Sequence, residues 1–340
     1  MESAAPLRLG VLDIGSNSAH LRVADLAPGY PPRRVRSVKT PVRLAEATDR
    51  HGVIHRPAVG RLIGAVGESV AAAAALDVDE MLPYATSALR DAANRDDVAA
   101  EVRAATGVGL GFLTGEQEAR LTFLAARRWR GWSAGPMLLA DIGGGSMELA
   151  CGEGEEPEIA LSLPLGAGRL TRHHLPPRPP VPKRTRKALR AHAGSVLREA
   201  TLGIAQLPPP VTAVATSKTF AQLARLCGAP KAKAGPYRER HLDRDELHRW
   251  IPKLARLPDA ERAGLRGVKA SRAHQILAGA IVAEALMDVL GLDRLAVCPW
   301  ALREGLFLNR LDALNEGRAP DAFPEHSPVI LRDVHLRAVP

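Results

Sequence analysis

Aromatic side chains are scarce in this chain of 340 residues, with five Phe, three Tyr and four Trp. They are scattered, so the sequence lacks the clusters of aromatic and basic residues on which single-stranded nucleic acids stack. Nucleic acid is therefore not the expected partner, although the net charge is +9 and the pI about 9.9. Cysteine is equally sparse. Cys151, Cys227 and Cys298 are far apart, odd in number and without metal-ligand spacing. That argues against a disulfide framework or a zinc site, and for reduced thiols in a cytoplasmic protein. No run of 18 apolar residues occurs, and Asp13 interrupts the first apolar stretch, so neither a membrane span nor a secretory leader is expected. A Walker A motif is missing, which excludes a P-loop enzyme at the level of motif. His173 and His174 are adjacent rather than four apart, a poor spacing for a metal site.

What the chain does have is length for two domains, a composition rich in Ala, Leu and Arg that suits a helix-rich α/β protein, and positive charge. The charge implies an anionic partner. A soluble polyanion, or a nucleotide carrying several phosphates, fits it without needing aromatic stacking.

The rest of the chain is organised around LLADIGGGSMEL, residues 138–149. An apolar run ends in Asp141, turns through Gly143, Gly144 and Gly145, and continues through Ser146 and Glu148 into a second apolar run. Glycines without side chains let a phosphate approach the main chain, and successive N–H groups in such a turn form an anion-binding concavity. The carboxylates would repel a bare phosphate, and make sense if a divalent cation sits between them and the ligand. The pattern occurs once more, in VLDIGSNSAHLRV near the N-terminus. Asp13, Ile14, Gly15, Ser18 and Leu21 superpose on Asp141, Ile142, Gly143, Ser146 and Leu149 without a gap. Either copy alone could be an ordinary Gly-rich β-hairpin. The matched pair argues for two related half-molecules, each presenting a phosphate hairpin to a shared cleft.

Around these hairpins the periodicity predicts strands over 33–42, 78–85, 107–113, 158–164, 211–215 and 295–299, and helices over 58–76, from 116, over 183–202, from 216, over 272–290 and over 301–311. Thr86 and Ser87 are expected to cap a helix carrying Arg90 in its first turn, an anion site by dipole and guanidinium together. Residues 125–135 read as the crossing into the second half. Gly166, Gly168 and Arg169 read as a further phosphate-facing turn, and Lys218 lies in the first turn of its helix. Glu116 and Glu118 open another helix, either as partners of its dipole or with one of them serving as a general base.

The two hairpins, with TGEQEARL, SALRDAAN and LREGLF, resemble the exopolyphosphatase/guanosine pentaphosphate phosphohydrolase family over roughly residues 7 to 312. ATSKTF and CPWALREG look most like its short actinobacterial, two-domain branch. The resemblance implies an α/β fold of duplicated actin/sugar-kinase/Hsp70-like (ribonuclease H-like) domains with an interdomain cleft. Its domains would be 1–123, with about 304–320 packing back, and 124–303, followed by an irregular tail over 321–340. It implies release of terminal phosphate from inorganic polyphosphate, or of the 5′ γ-phosphate from guanosine pentaphosphate, with Mg²⁺. By motif, Glu118 matches the glutamate that activates the attacking water. Asp141, Gly143, Gly144, Gly145, Ser146 and Glu148 match one phosphate motif, and Asp13, Gly15, Ser16, Asn17 and Ser18 the other. Arg90 matches an arginine that contacts substrate phosphate, and Arg272 resembles a basic substrate contact. Asp13, Asp141 and Glu148 are the expected acids around the cation or its waters. Where many relatives have a Gly-containing strand-to-helix turn, this chain has Ala215, Thr216, Ser217 and Lys218, which adds positive charge at that corner. A small-molecule kinase of the same superfold and a non-catalytic polyphosphate or nucleotide sensor are the remaining alternatives. A homodimer is in keeping with the family, though the sequence carries no interface signature.

Overall fold

The computed structural model describes residues 5–235, 237–318 and 329–330. The chain divides into two compact units, Met1–Thr114 with Arg303–Pro340, and Gly115–Leu302.

In the first unit, β1 (Leu7–Ile14), β2 (Ser18–Leu26) and β3 (Arg33–Pro41) form an antiparallel meander. Helix α1 (Arg56–Ala74) returns the chain to β4 (Glu80–Ala85), which runs parallel to β1. Short α2 (Ser87–Arg90) and α3 (Arg95–Thr106) lead to β5 (Gly111–Phe112), parallel to β4. Strand β1 sits inside the sheet, and its near-continuous apolar run is what a strand covered on both faces requires. Helix α1 carries Pro57 in its first turn and buries Ala58, Leu62, Val66, Val70 and Ala73 along one stripe.

The second unit opens with α4 (Gly115–Arg130), then the meander β6 (Met137–Ile142), β7 (Met147–Gly152) and β8 (Ile159–Leu163). After α5 (Ala167–His174) and α6 (Lys183–Ala200), β9 (Thr212–Thr216) pairs parallel with β6 and feeds α7 (Ser217–Leu226). Next come β10 (His241–Asp243), α8 (Arg244–Leu254), α9 (Asp259–Ala263), a 3₁₀ turn Ala270–Gln275, α10 (Ile276–Val289) and β11 (Arg294–Val297). The order β3-β2-β1-β4-β5 in one sheet is repeated by β8-β7-β6-β9-β11 in the other, with the same parallel and antiparallel senses. The duplication read from two short hairpins therefore extends to five of the six strands of each sheet, as an α/β protein of repeated fold.

Helix α10 is the centre of the second core. Ile276 to Met287 are all buried, so it is apolar around its whole circumference. Its buried acid, Glu284, is compensated by His248 Nδ1 at 2.6 Å and Arg190 at 3.2 Å. The last helix, α11 (Leu302–Asn315), is held to the first sheet by charge: Arg310 donates twice to Glu80 at 2.9 Å, and Arg22 pairs with Glu304. The three cysteines are free, and burial pushes the thiols of Cys227 and Cys298 up to about 12, so they stay neutral.

Several local expectations are corrected. Residues 125–130 continue α4 instead of crossing between halves. The strand expected over 107–113 shrinks to β5, because β4 offers pairing only at Tyr84 and Ala85. The helix expected from Arg272 begins at Ile276, and Arg272 lies in the 3₁₀ turn before it. Part of the tail expected to be irregular is ordered: β12 (Val329–Ile330) pairs antiparallel with β4. The rest of 319–340 lies outside the described residues.

Candidate functional site

The two glycine hairpins close in the same way. Gly15 N–H donates to the Ser18 carbonyl at 3.1 Å, and Gly143 N–H to the Ser146 carbonyl at 2.9 Å. Each is a four-residue loop between paired strands, Ile14 to Ala19 and Ile142 to Met147.

In the second unit the turn is braced from behind. The expected phosphate-facing turn at Gly166, Gly168 and Arg169 is instead the N-cap and first turn of α5. Its two glycines are there for close approach. A Cβ on Gly166 would fall 2.2 Å from the Gly145 carbonyl carbon and 2.4 Å from Ser146 N, and one on Gly168 2.9 Å from the Gly144 oxygen. Ala167 N and Arg169 N donate to the Gly143 and Gly144 carbonyls at 3.0 and 2.9 Å, and Arg169 Nε reaches the Gly145 carbonyl at 2.9 Å. With its carbonyls bonded to α5, the glycine turn is fixed in shape.

Asp141 and Glu148 are direct cross-strand partners, so both side chains leave the same face of the sheet. Asp141 Oδ2 accepts from Thr216 Oγ1 at 2.7 Å, and Glu148 Oε1 from Ser162 Oγ at 3.0 Å. Thr216 ends β9, and the next residue, Ser217, has φ = 80°. A side-chain-bearing residue there is strained, and such strain concentrates at functional positions. Ser217 Oγ in turn accepts from Phe220 N at 3.3 Å, and Lys218 follows in the first turn of α7.

Glu118 is buried in the first turn of α4. Gly115, three residues earlier on the same helix face, lies so close to β8 that a Cβ would meet Ser162 Cβ at 2.2 Å. The serine that braces Glu148 therefore also seats the start of the helix carrying Glu118. Arg272 N–H donates to the Lys269 carbonyl, and Gln275 on the same 3₁₀ turn lies against Gly168, its Oε1 3.0 Å from where a Cβ would be. The second unit thus gathers Asp141, Gly143, Gly144, Gly145, Ser146, Glu148 and Arg169 around one turn. Glu118, Lys218 and Arg272 stand on elements packed against that turn's neighbours.

In the first unit, Asp13 lies 3.7 Å from Arg303 Nη1 of α11, which also bonds His20. The Asn17 carbonyl accepts from Val42 and Arg43 N–H, and Asn17 Nδ2 donates to Ser16 Oγ at 3.0 Å. Arg90 is not in the first turn of a long helix. It ends the four-residue α2, whose N-cap Thr86 makes no side-chain cap. Arg90 Nη1 donates to the Leu113 carbonyl at 2.9 Å and Nε to Asp91 at 3.0 Å, which aims the guanidinium by its surroundings.

Among the described residues no group of three or more His, Cys, Asp or Glu is arranged to hold a metal ion. A Mg²⁺ shared with substrate phosphates needs only one or two carboxylates, and the same-face pair Asp141 and Glu148 is such a set. Sequence reasoning passed over Ser162 and Gln275, whose partners lie 14 and about 107 residues away, and named Thr216 only as part of a helix-opening corner, without its bond to Asp141 75 residues away.

The model of the Ppx/GppA phosphatase family matches residues 23–314. Exopolyphosphatase 1 of Mycobacterium tuberculosis is 50% identical over 313 residues, covering 92% of this chain and 91% of that protein. The guanosine-5'-triphosphate,3'-diphosphate pyrophosphatase of Aeromonas hydrophila is 26% identical over 309 residues, 88% of this chain but 58% of that protein. A crystal structure of an exopolyphosphatase from Cytophaga hutchinsonii, 22% identical, superposes with a TM-score of 0.81 over 90% of this chain and 98% of that one, a likeness of fold.

Proposed function

Because this chain belongs to the Ppx/GppA phosphatase family, we propose that it is an exopolyphosphatase, a hydrolase that removes the terminal phosphate of inorganic polyphosphate. The observation that carries the reading is half identity to a protein named exopolyphosphatase across nine-tenths of both chains. The geometry supports it with a rigid turn of bare N–H groups suited to phosphate and a buried glutamate on the helix seated beside it.

In this reading a water oxygen attacks the terminal phosphorus in line, a P–O bond forms and the bridging P–O bond breaks. The proton leaves the water for the Glu118 carboxylate. Orthophosphate and a chain one unit shorter result. Backbone N–H groups of Gly144, Gly145 and Ser146 hold phosphoryl oxygens, and Arg169, Lys218 and Arg272 supply positive charge around the chain. The matching loop of the first unit, with Asp13, Gly15, Ser16, Asn17 and Ser18, is assigned to phosphate on its identical closure, and Arg90 with it. Asp141 and Glu148 would hold a Mg²⁺, which when bound neutralises charge on the phosphoryl oxygens.

Phosphate release by the purified protein with Mg²⁺ tests this, on short and long polyphosphate, guanosine pentaphosphate and ATP side by side. Glu118→Gln is expected to keep fold and substrate binding and to lose about 10²- to 10⁴-fold in turnover, the contribution of a positioned base. Wild-type turnover in that variant would remove Glu118 from the mechanism. Faster release from guanosine pentaphosphate than from any polyphosphate would replace the substrate, and acceptor-dependent ADP release would indicate a kinase.

A further inference from the structure

The tertiary structure assembles an aromatic and basic cluster that the sequence disperses. Trp129, in the last turn of α4, stacks on Tyr237 with ring centroids 5.4 Å apart and planes 6° from parallel. Trp300 also packs on Trp129, with ring centroids 5.3 Å apart and planes tilted by 51°. Trp129 and Tyr237 rim a cavity of about 180 Å³ lined also by Arg130, Arg238, Glu239, Arg240 and His241.

The cavity pairs an open aromatic face with basic side chains. Tyr237 is 86% exposed although one face of its ring covers Trp129, so the other face is open as a stacking platform. Three arginines stand against one glutamate, and Glu239 is engaged by His241 Nε2 at 3.3 Å. Arg130 and Arg238 form no ion pair among the described residues. Arg240 Nη2 donates to the carbonyls of Lys231, Ala232 and Gly235, which fixes the segment leading to Tyr237. Arg240 Nε and His241 Nδ1 are buried with no partner in the described structure, polar atoms whose desolvation is uncompensated unless a ligand or water meets them. The cavity admits a phosphoryl group but not a whole nucleotide, which leaves the base outside, on the Tyr237 ring.

We propose that Trp129, Tyr237, Arg130, Arg238 and His241 form a second ligand site that binds a nucleoside polyphosphate, base on Tyr237 and phosphate in the arginine-lined cavity. It is separate from the proposed reaction centre: Trp129 is 11 residues beyond Glu118 on α4, about 16 Å along the helix axis. The site does not rest on the exopolyphosphatase reading, since it uses none of the residues assigned to hydrolysis.

Equilibrium dialysis of the full chain carrying Glu118→Gln, with EDTA present, measures it with ATP, GTP, UTP, inorganic triphosphate and a short oligouridylate as probes. Nucleoside triphosphates are expected to bind more tightly than inorganic triphosphate. Tyr237→Ala should weaken the nucleotides about 10-fold or more, one base's worth of stacking, and leave inorganic triphosphate unchanged. Tyr237→Phe should bind as the parent does, which controls for folding at this surface position. Arg238→Ala should weaken all triphosphates. Absence of nucleotide binding at millimolar concentration overturns the proposal. So does nucleotide affinity that ignores Tyr237→Ala, which would mean a plain anion site, or retention of the oligouridylate alone, which would mean a nucleic-acid surface. Loss of phosphate release in the wild type, with this pattern intact, would refute the proposed reaction and leave the nucleotide site standing.

Discussion

At the scale of single residues, the site is built as much by side chains that are missing as by those present. Gly166 and Gly168 are where the backbones of α5 and the glycine turn touch, and no larger residue fits without displacing main chain. Gly166→Ala places a methyl 2.2 Å from the Gly145 carbonyl carbon, whose oxygen accepts from Arg169 Nε. The turn has to move, and an ångström of misplacement in a positioned site costs about 10²-fold. kcat/KM for phosphate release is expected to fall by about that factor while far-UV circular dichroism stays that of the parent. Parental kcat/KM in a folded Gly166→Ala protein would mean that the turn does not hold substrate. The glycines were legible in the sequence as glycines, but they read as a second phosphate contact. Their role as a brace depends on a contact between segments more than 20 residues apart.

At the scale of elements, the first meander is tied across by charge. Arg8, Asp25 and Arg33 lie side by side on β1, β2 and β3, and Asp25 accepts from Arg8 Nε at 2.7 Å and Arg33 Nη2 at 2.6 Å. The Arg8 hydrogen bond above all, then that from Arg33, holds the Asp25 carboxyl below the usual carboxylate range. A carboxylate with a depressed folded pKa contributes stability that is fully present above its unfolded value, about 3.9, and is lost as pH falls through the folded one. The urea midpoint of the wild type is therefore expected to drop below about pH 4, and Asp25→Asn to flatten that limb while lowering the midpoint at pH 7. An unchanged acid limb in Asp25→Asn would show that the triad does not contribute. Arg33 is one of several arginines on β3, and the strand register alone sets it opposite Asp25. Elsewhere the local pattern sufficed. Apolar spacing over 58–76 gives α1 to within two residues, because an amphipathic helix is encoded in its own sequence, whereas β5 is as short as the neighbour it pairs with allows.

At the scale of the whole molecule, 46 basic residues against 37 acidic ones give a chain that attracts polyanions at a distance. Salt screens that attraction over about 10 Å at 0.1 M. For long polyphosphate, kcat/KM is expected to fall as salt is raised through this range while kcat holds, and the fall should be smaller for short chains. A salt-independent kcat/KM would mean that the net charge has no part in substrate capture. The aromatic inventory shows the opposite relation of sequence to structure. Twelve rings scattered over the chain argue against any stacking surface, yet Trp129, Tyr237 and Trp300 come together in one place.

The sequence by itself determined the duplication, the two glycine turns and the family, because each is written in contiguous residues whose backbone and side-chain chemistry act locally. Only the tertiary structure decided what stands behind those turns and what faces Tyr237. The Gly166–Gly145 approach, the Thr216–Asp141 and Ser162–Glu148 bonds and the Trp129 stack join segments 14 to 108 residues apart. Such pairings are set by sheet order and helix packing, which many sequences share and no short pattern spells out.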